Sequence, residues 1–151
     1  MRKKVLISST GGHWTQLNQI YKMCRDKKQI QLITEKNATT QKRNDILFLI
    51  QQDRKHIIFP FVFFVNVILS FFYAIMCHPK IVVSTGAGVV IPFLLFSKML
   101  GSRIIFIESF AKIDSPTITG KFVYKFSDEF FIQWPELKTY YPKAIYKGSL
   151  Y

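Results

Sequence analysis

From Ile57 to Cys77 the chain runs for 21 residues without a formal charge, six of them phenylalanine. Such a segment must leave water, either into a protein core or into lipid, and it has the length of a bilayer crossing. Pro60 near its start and Asn66 and Ser70 in its middle weigh against a plain crossing. Ile57-Ile58-Phe59 reads as a strand that belongs to a sheet, which leaves a helix over 60–77. A full crossing would also put the flanking sheet pieces on opposite sides of the membrane. The favoured reading is a helix that packs on a sheet by one face and touches lipid with the other, through Phe61, Phe63, Phe64, Phe71 and Phe72. A re-entrant or single-pass helix and a fully buried helix stay open as alternatives.

Around this segment short apolar runs alternate with helical periodicity. Val5-Leu6-Ile7 is a buried strand delivered into Gly11-Gly12-His13. Leu17, Ile20, Tyr21 and Cys24 then recur at helical spacing from Trp14 onward, and Ile30 to Thr34 is a second strand. Residues Glu35 to Arg43 suit a loop, and the apolar residues Ile46 to Ile50 carry no clear assignment. Beyond the long helix, Ile81 to Thr85 is a strand and Gly86-Ala87-Gly88 a turn. A helix over Val89 to Leu100 is stopped by Gly101, and Arg103 to Glu108 is the next strand. Ser115-Pro116 opens a helix through Phe126, Phe130 to Gln133 is a strand, and residues 144–151 read as a final strand. This order predicts an α/β fold: one domain over 1–151, with a Rossmann-like parallel sheet and helices on both faces.

The net charge of +12, from 21 basic and 9 acidic residues, calls for an anionic partner. Basic residues gather at Arg2-Lys3-Lys4, Lys22 to Lys28, Lys42-Arg43 and Arg54-Lys55-His56, and the last group directly precedes the apolar segment. Cations beside an apolar helix suit a membrane surface, with Arg54 and Lys55 as lipid-facing charges, better than a nucleic-acid groove. No zinc spacing, basic zipper or RNA-binding signature supports a nucleic acid as partner. Cys24 and Cys77 are far apart and read as reduced thiols, and the start of the chain lacks a secretory leader, so the expected location is the cytoplasmic face of a membrane.

In open parallel sheets, ligands bind where strands end and glycine turns lead into helices. Gly11-Gly12 and Gly86-Ala87-Gly88 are two such turns, and both facing one crevice could hold a diphosphate. The first lacks the later glycines of a dinucleotide fingerprint although Glu35 ends the second strand, and there is no Walker loop. His13, at the mouth of the first turn, could serve as general base on a sugar hydroxyl, as a phosphate donor, or as a cap. Glu108, followed by Ser109, is the acid at a strand's ligand-facing end, and a buried carboxylate needs a partner or a ligand. Asp114, Asp128 and Glu129 suit caps or solvated turns. No nucleophile–base spacing or metal cluster is legible, so the residues themselves predict a binding crevice, with no cofactor and no metal.

The order of motifs, an opening strand into GGH, then STGAGVVIPF, RIIFIES and DEFFIQW, resembles the N-terminal half of the MurG-like glycosyltransferases. It is similar above all to their stand-alone acceptor-side subunits. These are the membrane-recruiting subunit of the split N-acetylglucosaminyltransferase of dolichol-linked glycan assembly and the PssD-type capsule and exopolysaccharide subunits. The resemblance implies one GT-B half-domain that is active only with a separate donor-binding subunit, in a heterodimer. That pair would add a sugar from a UDP-sugar to a polyprenyl-diphosphate-linked acceptor. It further implies that Gly11, Gly12, His13, Gly86, Ala87 and Gly88 line the acceptor crevice, with Glu108 and Ser109 near it, and His13 is the catalytic candidate among them. A purely structural recruiter, contributing no site residue, is the competing expectation.

Overall fold

The computed structural model describes residues 3–40 and 43–151. Arg2 of the first basic group and Lys42 of the third lie outside the described residues. Seven strands form one all-parallel sheet in the order β3-β2-β1-β4-β5-β6-β7. They are β1 (Lys4–Ser8), β2 (Ile30–Glu35), β3 (Ile46–Leu49), β4 (Ile81–Gly86), β5 (Arg103–Ile107), β6 (Glu129–Ile132) and β7 (Ile145–Tyr146). The helices are α1 (Gly12–Met23), α2 (Phe59–Cys77), α3 (Ile91–Met99) and α4 (Ile118–Val123). The Rossmann-like parallel sheet expected from the alternation is present.

Side-chain alternation along the strands divides the interior into two layers. Val5 and Ile7 of β1 join Ile33, Val82, Phe93, Ile104 and Phe106 on the side covered by α2 and α3. Leu6, between them, turns the other way and joins Leu32 and Ile46 beneath Leu17 of α1. After β1 the chain winds outward through β2 and β3. The long crossover α2 then returns it to the opposite side of β1 as β4. The reversal of winding therefore falls between β1 and β4.

The crossover explains the polar residues inside the apolar segment. Val62, Asn66, Ser70 and Ala74, four residues apart, form the buried stripe of α2. Asn66 closes a two-way clamp on Ile50, accepting from its N–H at 2.8 Å and donating to its carbonyl at 2.7 Å. The small Ser70 and Ala74 belong to the face that meets α3, where Phe71 and Phe96 pair edge to face at 5.3 Å. Because α2 joins two strands of one sheet, it lies along the sheet, as the favoured reading required.

Several expected boundaries need correction. Ile57 and Ile58 are not in the sheet: they form turns ahead of α2 and are exposed, Ile57 to 92%. Pro60, in the first turn of α2, costs no hydrogen bond there, and the helix starts at Phe59. Ile46 to Leu49, unassigned from sequence, is the edge strand β3. The helix expected from Ser115 to Phe126 is only Ile118–Val123, because Thr117 caps it, its Oγ1 accepting from Gly120 N–H at 2.7 Å. The helix expected from Val89 begins as a 3-10 turn, Gly88–Val90, and becomes α3 at Ile91. The last strand is two residues long, since the tail then crosses the strand ends: Leu150 N–H donates to Gln133 Oε1 at 2.9 Å and Tyr151 packs edge-on against Phe110.

Candidate functional site

The two glycine turns meet at the carboxyl ends of β1 and β4, the place where winding reverses and where open sheets leave a crevice. Ser9 N–H donates to Gly86 O at 2.7 Å, and Ala87 N–H donates to Ser9 Oγ at 3.3 Å, so the turns are bonded to each other. His13, in the first turn of α1, ties them further. Its Nδ1 lies 2.6 Å from Thr85 O, and Thr85 Oγ1 donates to His13 O at 2.8 Å. A carbonyl can only accept, so Nδ1 carries the proton and Nε2 is the basic nitrogen. Gly86 sits at φ +101° with the His13 ring against it; a Cβ there would lie 3.2 Å from the imidazole. The positive φ favours glycine, and a side chain there would crowd the imidazole.

Beside this junction the structure encloses a gap of about 30 Å³ lined by His13, Gly86, Ala87, Glu108, Thr117 and Thr119. That is room for a water, not a sugar. Glu108 is 1% exposed, and four donors converge on its carboxylate. Ser109 N–H and Thr117 Oγ1 reach Oε1, both at 2.8 Å, while Tyr141 OH reaches Oε2 at 2.6 Å and Thr117 N–H at 3.1 Å. The partner that a buried acid demanded is therefore intramolecular. Burial, then the hydrogen bond to Glu108, pushes the Tyr141 phenol well above its ordinary pKa, so it stays a donor. Ser109 lies in the turn after β5, its Oγ accepting from Ala111 N–H at 3.3 Å.

A larger cavity, about 370 Å³, opens on the other side of Ala87, between Ser9, Glu35, Gln52, Arg54 and Gly88. Glu35 fixes its wall. Oε2 accepts from Thr10 N–H at 3.1 Å and Oγ1 at 3.3 Å, while Oε1 accepts from Gln52 N–H at 2.9 Å. This acid at the end of β2 thus links the loop after β1 to the segment after β3. Arg54, read from sequence as a lipid-facing cation, has its guanidinium turned onto Gly88, where a Cβ would lie 2.8 Å from it. Lys55 beside it is exposed. Gly11 and Gly12 open α1, whose first-turn N–H groups carry no side-chain cap.

The fold is that of other proteins. It superposes on MurG of Acinetobacter baumannii with a TM-score of 0.70 at 18% identity, over 89% of this chain and 42% of that one. A UDP-N-acetylglucosamine 2-epimerase from Rickettsia bellii gives 0.71 at 12% identity, over 99% and 46%. These likenesses establish a shared fold that accounts for 42% and 46% of those two chains. The sequence goes further: the family profile described as "Oligosaccharide biosynthesis protein Alg14 like" matches residues 4–150. The chain belongs to the Alg14 family. The UDP-N-acetylglucosamine transferase subunit ALG14 of Mus musculus is 30% identical over 96 residues, 60% of this chain and 44% of that protein. Its Homo sapiens counterpart is 32% identical over 88 residues, 54% and 41%. The matched region thus spans less than half the length of these curated Alg14 relatives.

Within this Alg14-like fold, His13, Gly86, Ala87 and Glu108, singled out from sequence, line one gap and Gly88 lines the larger cavity, while sequence reasoning missed Gln52, Thr117 and Tyr141. It also gave Arg54 a different neighbour. The signal that could have placed Arg54 is β3. Once Ile46–Leu49 is a strand, residues 51–54 fall at a carboxyl end of the sheet, beside the crevice.

Proposed function

We propose that the chain is the acceptor-side subunit of a two-component glycosyltransferase, binding a polyprenyl-diphosphate-linked sugar and bringing a donor-binding partner to the membrane. The single observation that carries this reading is a switch-point crevice and an unpartnered apolar helix face on the same molecule. Phe61, Phe63, Phe64, Ile68, Phe71, Phe72, Ile75 and Met76 are all exposed on α2, Phe61 to 70%. Scattered exposed apolar residues are ordinary, but eight on one helix form a continuous surface. The occupant that fits is lipid, since the surrounding protein carries a net charge of +12 and an anionic bilayer complements both features. The helix lies with one face in the lipid boundary and the other on the sheet.

A donor-binding partner is inferred from the relatives, whose names describe them as transferase subunits. The family and the names of its relatives support UDP-N-acetylglucosamine as the donor held by the partner and a lipid-linked oligosaccharide as the product. A capsular or exopolysaccharide intermediate is the finer reading, resting on the PssD-type motif resemblance. In this scheme His13 Nε2 takes the proton of the attacking hydroxyl, and the glycine turns admit the diphosphate.

The reading is tested by floating the partner subunit on phosphatidylglycerol-containing vesicles. It should float only when this chain is present, and Phe61→Ser, Phe64→Ser and Phe72→Ser together should abolish flotation of both. A partner that floats equally well without this chain contradicts the proposal. The second reading, a recruiter with no site residue, draws on the four intramolecular donors that occupy Glu108. Unchanged sugar transfer by the complex carrying His13→Ala would favour it.

A further inference from the structure

We propose that the groove along α4 is a site for one molecule of an anionic phospholipid, separate from the switch-point crevice. The phosphate lies on Lys121 and Lys125, the acyl chains on Ile118, Phe122 and Tyr140, and the headgroup hydroxyls toward Ser127 and Asp128. The choice of a lipid rests on the membrane reading above, whereas the groove stands on its own geometry.

Two cavities, about 520 and about 610 Å³, lie side by side and share Tyr124 and Lys125 as a common wall. Each alone has the size of a small-molecule site. The first has an apolar lip of Ile118, Phe122 and Tyr140, all exposed, Ile118 to 76%. The second is the more polar, with Ser127, Asp128 and Lys143. Their floor is a packed aromatic cluster. Tyr124 meets Phe130 edge to face at 5.1 Å, Phe130 meets Tyr141 at 4.5 Å, and Tyr124 OH accepts from Lys143 N–H at 2.8 Å. Hydrocarbon laid on such a floor removes both its own surface and the exposed lip from water.

Charge decides which amphiphile fits. Lys121, Lys125 and Lys143 are exposed, and none of the ion pairs among the described residues uses them. Lys121 and Lys125 line the same cavity, so their ammonium groups repel each other and an anion between them relieves that repulsion. Asp128 sits at the other end, where Lys98 Nζ and Ile104 N–H already hold it. Its carboxylate keeps a phosphate at the Lys121 end and suits hydroxyl donors at its own.

Placement favours a lipid as the anion. Val123 of α4 and Tyr141 are buried in the same layer as Phe93 of α3 and Ala74 of α2. The groove therefore belongs to the side of the sheet that carries the exposed phenylalanines of α2. An acidic protein segment would also satisfy the lysines, but nothing in that case would call for the neighbouring apolar face.

The test is calorimetric titration of the full chain with dihexanoylphosphatidylglycerol, kept monomeric below its micelle threshold so that no bilayer is needed. The lipid should bind, and Lys121→Gln with Lys125→Gln should weaken it about tenfold. Ile118→Ser should weaken it several-fold with unchanged thermal unfolding, because that side chain is exposed. Lys22→Gln, on α1 across the sheet, should stay within about twofold. Dihexanoylphosphatidylcholine has the same chains without net charge, and glycerol 3-phosphate the charge without chains. Both should bind about tenfold more weakly or worse. The chain carrying Phe61→Ser, Phe64→Ser and Phe72→Ser should still bind the monomeric lipid. Monomer binding by a parent chain that does not float on vesicles would leave this site standing and sink only the membrane reading. The proposal is overturned if the monomeric lipid does not bind, if the two lysines can be replaced without loss, or if Lys22→Gln loses as much. Equal binding of glycerol 3-phosphate would mean a free-phosphate site, equal binding of the phosphatidylcholine an unselective apolar cleft, and tighter binding of hexaglutamate a protein-docking groove. Each contradicts an anionic phospholipid site.

Discussion

At Glu108 one carboxylate organises three segments that are remote in sequence. Thr117 and Tyr141 stand nine and 33 residues away, and both donate to it. Glu108→Gln replaces an acceptor with a donor that faces other donors, and should destabilise the fold by about 2–3 kcal/mol in urea unfolding. Gly120→Ala should cost a similar amount, because its Cβ would overlap the Glu108 carboxylate, the Tyr141 hydroxyl and Thr117 Oγ1. His13→Ala belongs to a different class. It should lower transfer by the assembled complex about a hundredfold. A histidine beside a glycine turn was legible because strand, turn and helix are contiguous in the chain. The acceptors and donors around Glu108 were not, since nothing local in RIIFIES marks which distant hydroxyl will close on it. Arg54 shows the same limit. Its charge was legible, but its neighbour depended on β3, a four-residue edge strand with no alternation to mark it.

Among the elements, α2 was the most legible and also the most easily misbounded. Its length and uncharged composition announced a helix with a special environment. Its β-branched start, Ile57-Ile58, imitated a strand, and only the turn bonds His56 N–H to Asp53 O and Phe59 N–H to His56 O decide otherwise. The polar residues that argued against a bilayer crossing turned out to define the inner face. Asn66→Leu should therefore destabilise by about 2 kcal/mol in urea unfolding, since both backbone groups of Ile50 lose their partner. Leucine branches as asparagine does but is bulkier, so the loss adds crowding to the broken clamp. The β5–β6 region is tied by Asp128, whose Oδ2 accepts from Ile104 N–H at 2.7 Å and whose Oδ1 meets Lys98 Nζ at 2.6 Å. Burial opposes its ionisation, but the Lys98 ammonium, the Ile104 N–H and the Arg103 charge outweigh burial and hold its carboxyl below the ordinary range. A lowered folded pKa means stability present above the unfolded value of about 4 and lost as pH falls through the folded one. Asp128→Asn should cost about 1 kcal/mol at neutral pH and flatten that acid limb in pH-dependent unfolding.

For the whole molecule, the parallel order β3-β2-β1-β4-β5-β6-β7 follows from two outward windings joined by one long crossover. That single topological fact brings the crevice near the start of the apolar helix, because α2 follows the carboxyl end of β3 and runs back to the opposite end of the sheet, where β4 begins. The alternation of runs made the sheet legible from sequence. The order of strands within it was not, since no local pattern states that the fourth strand returns to the first. An Alg14-family chain that works as proposed should be an incomplete enzyme, active only with a donor-binding subunit. The direct test is transfer of labelled N-acetylglucosamine from its UDP donor to a polyprenyl-diphosphate-linked acceptor in vesicles, measured for this chain, for the donor-binding subunit, and for the two together. The account requires transfer from the mixture and none above background from this chain alone. Robust turnover by this chain without a partner would place a donor site within it and contradict the split-enzyme reading.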